Sequence, residues 1–315
     1  MYYIGVDLGG TNIAAGIVDE KGNLLRKASI PTGAEREADE VIKDMAGLCR
    51  KLIDDQGITV DDVEYAGVAT PGTADHDNGI VVYANNLRFL NYPLADKLKE
   101  FLGVKKVLIE NDANAAAKGE AACGAAKGYA NSVMITLGTG LGGGIIIDNK
   151  IYSGFNYAGA ELGHMVIEVD GLPCSCGRKG CWEAYSSATG LINMTKVKLA
   201  ETKDTVMHEM VAHDGKVSGR TAFDAMRKGD KAAKEVVDKY IYYLAMGIVN
   251  IINIFQPEVL VIGGGICNEK HYLTDPLMDI VDKEQYSRNS TKKTEIRIAT
   301  LGNDAGIIGA AMLGM

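Results

Sequence analysis

The sequence predicts an α/β protein of two lobes, and three observations carry that expectation. Apolar strand runs alternate along the 315 residues with helices of three- and four-residue periodicity. A strand, a glycine turn and a second strand occur twice, at residues 3–18 and again at 132–147. The composition is that of a folded chain: 47% hydrophobic, 23% charged, and 38 glycines with no collagen period. Disordered, fibrous and coiled-coil readings are excluded, and a chain of this length suits two domains of about 150 residues each.

Taken in order, residues 3–6 form an apolar strand, 8–11 a glycine turn, and 13–18 a second strand closed by DEKGN. A helix is expected over 36–56, where Ala38, Val41, Ile42, Met45, Leu48, Cys49 and Leu52 share one face and Gly57 stops it. Next come a strand at 63–69, a helix at 94–102, a strand at 106–110 and a helix opening at Asp112. The opening device then returns as a strand at 133–137, a turn at 138–144 and a strand at 145–147 closed by DNK. A constant offset pairs Gly9 with Gly138, Gly10 with Thr139 and Asp19 with Asp148. Beyond a cysteine cluster near 174, helices are expected near 222–229 and 231–254. The uncharged stretch 240–257 approaches membrane-spanning length, but Asn250, Asn253, Gln256 and Pro257 mark a buried helix that ends before the proline. A core strand at 258–262 runs into Gly263, Gly264 and Gly265, and a helix at 272–285, a strand at 295–299 and a helix at 305–313 finish the chain. The duplicated unit suggests two lobes facing each other across a nucleotide cleft.

Charge narrows the partners. Lysine and arginine number 33 against 41 acidic residues, a net charge of -8 that offers no attraction to nucleic acid or an anionic membrane. MYYIGVDLGG has no basic stretch before its apolar run, so a cytoplasmic location is expected. Of the six cysteines, Cys174, Cys176 and Cys181 fall within eight residues, and in a reducing compartment clustering points to metal before disulfides. With His164 they make H-x9-C-x-C-x4-C, three thiolates and an imidazole that suit a closed structural zinc site. Cys49, Cys123 and Cys267 read as small core residues.

The glycine hairpins DLGGT and LGTGLGGG let backbone N–H groups approach an anion, with Thr11 and Thr139 adding hydroxyls. An ordinary tight turn would account for either alone; two at equivalent points of a repeat favour phosphate binding. Neither is a Walker loop or a dinucleotide fingerprint. Asp7 ends the first strand, where it could hold magnesium through water. Gly263–Gly265 follow a strand and leave a flat slot for a purine, or simply form a strand-to-helix turn. Asp112, at a strand end and a helix start, is placed either as a general base or as an N-cap. Glu161 and Glu183 flank the metal cluster, where a rigid loop would suit recognition of vicinal hydroxyls.

On DLGGT, GTGLGGG, ENDANAA at 110–116, ELGH at 161–164 and CSCGRKGCWE at 174–183, the sequence resembles the ROK family of sugar kinases and sugar-responsive regulators. The resemblance spans nearly the whole chain and implies an actin/hexokinase-like, ribonuclease H-like ATPase fold. It implies a smaller lobe of residues 1–111 plus 301–315 and a larger lobe of 112–300 carrying the zinc loop and a surface for homodimers or larger homo-oligomers. It implies Asp112 as the base, and sugar contacts from Gly72, Asn111, Asp112, Glu161, His164 and Glu183. ATP with magnesium would meet Asp7, Gly9, Gly10, Thr11, Gly138, Thr139, Gly140, Gly263 and Gly264, and zinc would be held by His164, Cys174, Cys176 and Cys181. The implied reaction is ATP-dependent phosphorylation of glucose at its 6-hydroxyl, with another hexose as the alternative. The opening YIGVDLGGTNIAAGIVDEKGN is similar to that of the bacterial glucose kinases, while DGLPCSCGRKGCWEAY also resembles N-acetylmannosamine kinases; N-acetylglucosamine is a further alternative. The family's repressors carry a winged helix-turn-helix ahead of this fold, for which Asp7 leaves no room, so a DNA-free sugar sensor is the alternative of another class.

Overall fold

The computed structural model describes residues 1–84 and 87–315. From the N-terminus, β1 (Tyr2–Leu8), β2 (Asn12–Asp19) and β3 (Leu24–Pro31) precede α1 (Ala38–Gln56). Then β4 (Val63–Thr70), β5 (Thr73–Asp75), β6 (Ile80–Tyr83) and β7 (Leu90–Tyr92) precede α2 (Leu94–Leu102). β8 (Val107–Asn111) leads directly into α3 (Asp112–Cys123), followed by β9 (Ser132–Leu137), β10 (Leu141–Ile147) and β11 (Lys150–Ile151). The remainder is mostly helical: α4 (Trp182–Ser186), α5 (Ala188–Glu201), α6 (Met207–Asp214), α7 (Thr221–Arg227) and α8 (Lys231–Phe255). β12 (Val259–Gly263), α9 (His271–Glu284), β13 (Glu295–Ile298) and α10 (Ala305–Ala311) complete the chain.

β1 is buried continuously from Tyr3 to Val6, the pattern of a central strand. It pairs antiparallel with β2 and parallel with β4, giving the sheet order β3-β2-β1-β4-β8. The apolar face of α1, with Val41, Ile42, Met45 and Leu52, joins the sheet residues Ile4, Val6 and Ile13 in one buried cluster. Gly57 caps α1 in the left-handed conformation that its missing side chain permits. A second five-stranded sheet has the order β11-β10-β9-β12-β13, and β5-β6-β7 form a small third one.

The chain separates into a unit of Met1–Met134, Gly144–Ala160 and Ala299–Met315 and a unit of Ile135–Gly143 and Glu161–Ile298. Residue 111 and α3 lie within the first unit. The physical reason is the packing of α3 on α10, tied by Glu120, which is fully buried. Its carboxylate accepts the backbone N–H groups of Ala125, Thr300 and Leu301 at 2.6, 2.9 and 2.8 Å, so a buried charge is satisfied while the C-terminal segment is held.

In the second unit α8 packs against α4, α5, α7 and α9. It ends at Phe255, with Gln256 left-handed before Pro257, as its side chains predict. Among the described residues no helix is long and apolar enough to cross a membrane. One expectation changes: the second glycine turn is shorter than 138–144, because Gly142–Gly144 lie within β10. Gly144 belongs to the strand because α3 lies against it; a Cβ there would stand 2.7 Å from the Ala113 carbonyl.

Candidate active site

In the first unit, β8 delivers Asn111 and α3 begins at Asp112. The N-cap is Asn111, whose Oδ1 accepts the N–H groups of Ala113 and Asn114 at 2.9 and 3.2 Å. Asp112 is therefore the first helical residue and is free of the capping role. Its Oδ1 accepts the Ala113 N–H at 2.8 Å, and burial among protein atoms raises its pKa even though its surface reaches solvent. Asn111 also donates from Nδ2 to the Gly72 carbonyl at 3.0 Å, and its side chain hydrogen-bonds the Asp112 carboxylate. Gly72 has a φ of 84°, and any side chain would overlap the Tyr83 carbonyl, so its place in the site is fixed by the fold.

Asp7 lies on β1 with its carboxylate against Gly306 of α10, where a Cβ would come within 2.7 Å of Oδ2. Burial, and then the Asp112 charge, raise its pKa to about 6. Two partly desolvated carboxylates, the charge of one raising the other, form a setting that a divalent cation would neutralise, so the pair fits magnesium. The hairpin beside Asp7 is closed by Thr32, whose Oγ1 donates to the Gly9 carbonyl at 2.7 Å and whose N–H donates to the Thr11 carbonyl. Thr32 carried no signal in the sequence, because its partner lies 23 residues away.

In the second unit, the Gly138–Gly140 turn meets the start of α5. The Ala188 N–H donates to the Gly138 carbonyl at 2.9 Å and Thr189 Oγ1 to the Thr139 carbonyl at 2.7 Å, while Ser187 caps the helix. The partial positive charge of that helix start adds to an anion-binding turn, a contribution the sequence reading missed. Glu183 Oε2 accepts the Leu141 N–H at 2.8 Å, and its Oε1 accepts Ser175 Oγ at 3.2 Å. A Cβ at Gly140 would overlap that carboxylate, so the hairpin and Glu183 are fitted to each other.

Glu161 precedes and His164 ends a short helical turn, with the His164 N–H on the Glu161 carbonyl. The four expected metal ligands come together, their ligand atoms all within 4.8 Å of one another. Cys176 Sγ stands 3.7 Å from Cys181 Sγ and Cys174 Sγ 3.6 Å from His164 Nδ1. Zn–S bonds of about 2.3 Å imply tetrahedral S–S edges of about 3.8 Å, so the donor set and its spacing fit zinc. Behind the loop, Trp182 is fully buried and donates from Nε1 to the Tyr243 carbonyl of α8 at 3.0 Å, anchoring it to the helical layer.

A cavity of about 1150 Å³ in this unit gathers Thr139, Gly140, Cys174 and Glu183 with residues of α5 and α8. Glu161, His164, Gly263 and Gly264 are not among its lining. Gly264 has a φ of 98°, and a side chain there would overlap the Leu137 carbonyl, so the fold itself requires that glycine.

Residues 3–315 match the ROK family, and the chain belongs to it. It is 37% identical over 312 residues to a glucokinase of Thermotoga maritima, covering 98% of this chain and 96% of that protein. It is 36% identical over 313 residues to a glucokinase of Halalkalibacterium halodurans, covering 99% and 94%. A solved ROK family glucokinase from Streptomyces griseus, in complex with glucose and AMPPNP, superposes with a TM-score of 0.82 at 34% identity and 99% coverage of both chains.

The hairpins can be tested apart from ordinary turns. Gly138 has no positive φ, and a Cβ there meets only the Gly140 carbonyl, at 4.0 Å, so the fold has room for a side chain. Gly138→Val should stay folded while weakening MgATP binding by about tenfold or more, because a side chain bars phosphate from the backbone N–H groups. Gly10→Val should do the same. Calorimetry finding ATP affinity unchanged in both folded variants would reduce the hairpins to turns.

Proposed function

We propose that this protein transfers the γ-phosphoryl group of ATP to the 6-hydroxyl of glucose. The observation that carries the reading is Asp112: Asn111 takes over the helix cap, and a carboxylate whose pKa burial raises stands at the start of α3 with its surface open to solvent. A sugar sensor would need that carboxylate only to hold a hydroxyl, not to accept its proton. The relatives' names and the glucose and AMPPNP complex of the Streptomyces griseus protein support glucose as acceptor and ATP as donor.

In this reading Asn111, Asp112, Glu161, His164 and Glu183 hold the sugar hydroxyls, with Gly72 bracing Asn111. Asp112 accepts the 6-hydroxyl proton as that oxygen bonds to the γ-phosphorus, and ADP departs with the bridging oxygen. The turns at Gly9–Thr11 and Gly138–Gly140 direct backbone N–H groups and the Thr11 and Thr139 hydroxyls at the phosphates, and Gly263 and Gly264 receive the purine. Magnesium, held near Asp7, supplies charge neutralisation to the phosphates. His164, Cys174, Cys176 and Cys181 hold a structural zinc that keeps the loop of Glu161 and Glu183 rigid. Two lobes, a cytoplasmic location and assembly as a homodimer or larger homo-oligomer belong to the same proposal and rest on the family resemblance.

Discrimination at carbon 2 separates glucose from the N-acetyl sugars. A panel of glucose, mannose, N-acetylmannosamine and N-acetylglucosamine assayed with MgATP should give glucose the highest kcat/KM. Preference for an N-acetyl sugar would move the acceptor within the class, and sugar binding without ATP turnover would leave a sensor.

A further inference from the structure

Glu110 immediately precedes Asn111 and Asp112 and is only 4% exposed. A buried carboxylate needs partners on both oxygens. Its Oε1 accepts the Asn111 N–H at 2.9 Å and Asn114 Nδ2 at 3.1 Å. Its Oε2 accepts Ser153 Oγ at 3.3 Å and lies 3.4 Å from His76 Nδ1. His76 sits on the turn between β5 and β6, in the hairpin that starts just after Gly72. Two ties therefore join that hairpin to the start of α3: Asn111 to the Gly72 carbonyl, and His76 to Glu110. The Tyr157 ring meets the imidazole edge-on with centroids 4.9 Å apart, and its hydroxyl donates to Asp77 at 2.7 Å, which restrains the histidine from a second side.

We propose that His76 is a positioning residue for the sugar site: through Glu110 it fixes the start of α3, and with it Asn111 and Asp112, so that sugar affinity follows the charge on the imidazole. The proposal rests on the sugar-kinase reading above. The groups facing His76 are Glu110, Asp77, Asp75 and Tyr157. The hydrogen bond to Glu110 raises the histidine's pKa, partial burial opposes it, and the charges of Glu110, Asp77 and Asp75 add to the rise. A raised value in the fold means that the imidazolium–carboxylate pair is complete at low pH and is lost as pH rises through that value.

The test uses the full-length protein with glucose affinity and initial rates measured between about pH 5 and 9, a range that spans histidine titration. In the unaltered protein the glucose KM should rise with pH while the MgATP KM stays level. His76→Gln keeps a donor toward Glu110 but cannot titrate, so its glucose KM should lose this pH dependence. His76→Phe fills the space without a bond and should raise the glucose KM about tenfold at the acid end, with the MgATP KM little changed, since misplacing a reacting group is costly. A glucose KM–pH profile in both variants like that of the unaltered protein would overturn the proposal. So would equal losses in both substrates accompanied by lower thermal stability, which mark a merely structural residue. If the unaltered protein phosphorylates no hexose, the kinase reading fails separately, and calorimetric glucose binding across the same pH range still decides the role of His76.

Discussion

Asp112→Asn should lower kcat by about 10²- to 10⁴-fold, the usual loss when a positioned base is removed, while glucose affinity changes far less. The structure sharpens the comparison because Asn111, not Asp112, caps α3. Asparagine can still accept the Ala113 N–H that Asp112 accepts, so the helix start is preserved and only the proton acceptor disappears. The unaltered enzyme should also lose activity on the acid side. Asp112 is raised by burial, and Asp7 is raised to about 6 by burial and by the Asp112 charge, so both protonate at a higher pH than ordinary carboxylates do. The stability contribution of the same groups runs the other way. A carboxylate whose value is higher in the fold than in the unfolded chain gains stability for the fold as pH drops toward the unfolded value of 3.8. Activity should therefore fall at a pH where these two groups make the protein no less stable, which a rate profile read beside a thermal-melt profile will show. A folded Asp112→Asn protein with near-normal kcat would move the search for the base to Glu161 or Glu183.

The second large effect concerns the metal. Purified protein should contain about one zinc per chain, as a closed four-ligand site requires. Cys176→Ser should lower the thermal midpoint, by about 2–4 °C for each kcal/mol of metal-linked stability lost from a domain of this size. The glucose KM should rise with it, by about tenfold, because supporting contacts of this kind usually matter on that scale. The coupling has a visible route: Ser175, between two of the ligands, donates to Glu183 Oε1, and the other Glu183 oxygen holds the Leu141 N–H. Freshly purified, active protein without zinc would refute the assignment.

What could be read in advance was chemistry written at short range. The hairpins, ENDANAA and the cysteine spacing each place their groups within about ten residues, where chain geometry leaves few alternatives. The helix face of α1 and the end of α8 at Phe255 follow from periodicity and from Pro257. Long-range partners left no such mark. Glu120 looks like a surface residue of an alanine-rich helix until Thr300 and Leu301 close over it, 180 residues downstream. His76 sits in a polar turn, DHDN, and its role depends on a carboxylate that reads as the end of a strand. β3 exposes Arg26 and Lys27 side by side, which breaks its alternation, and β5, β6 and β7 are too short to show a period. Of the two roles open to Asp112, the cap falls instead to Asn111, because both residues are good caps and only the fold decides between them.

The most direct test of the account is the product itself. Purified protein with MgATP and glucose, followed by ³¹P NMR, should show the γ-phosphate resonance of ATP disappear as one phosphomonoester coupled to the carbon-6 protons of glucose appears in equal amount. Glucose that binds but leaves ATP intact, or phosphate released to water with no sugar phosphate formed, would contradict it.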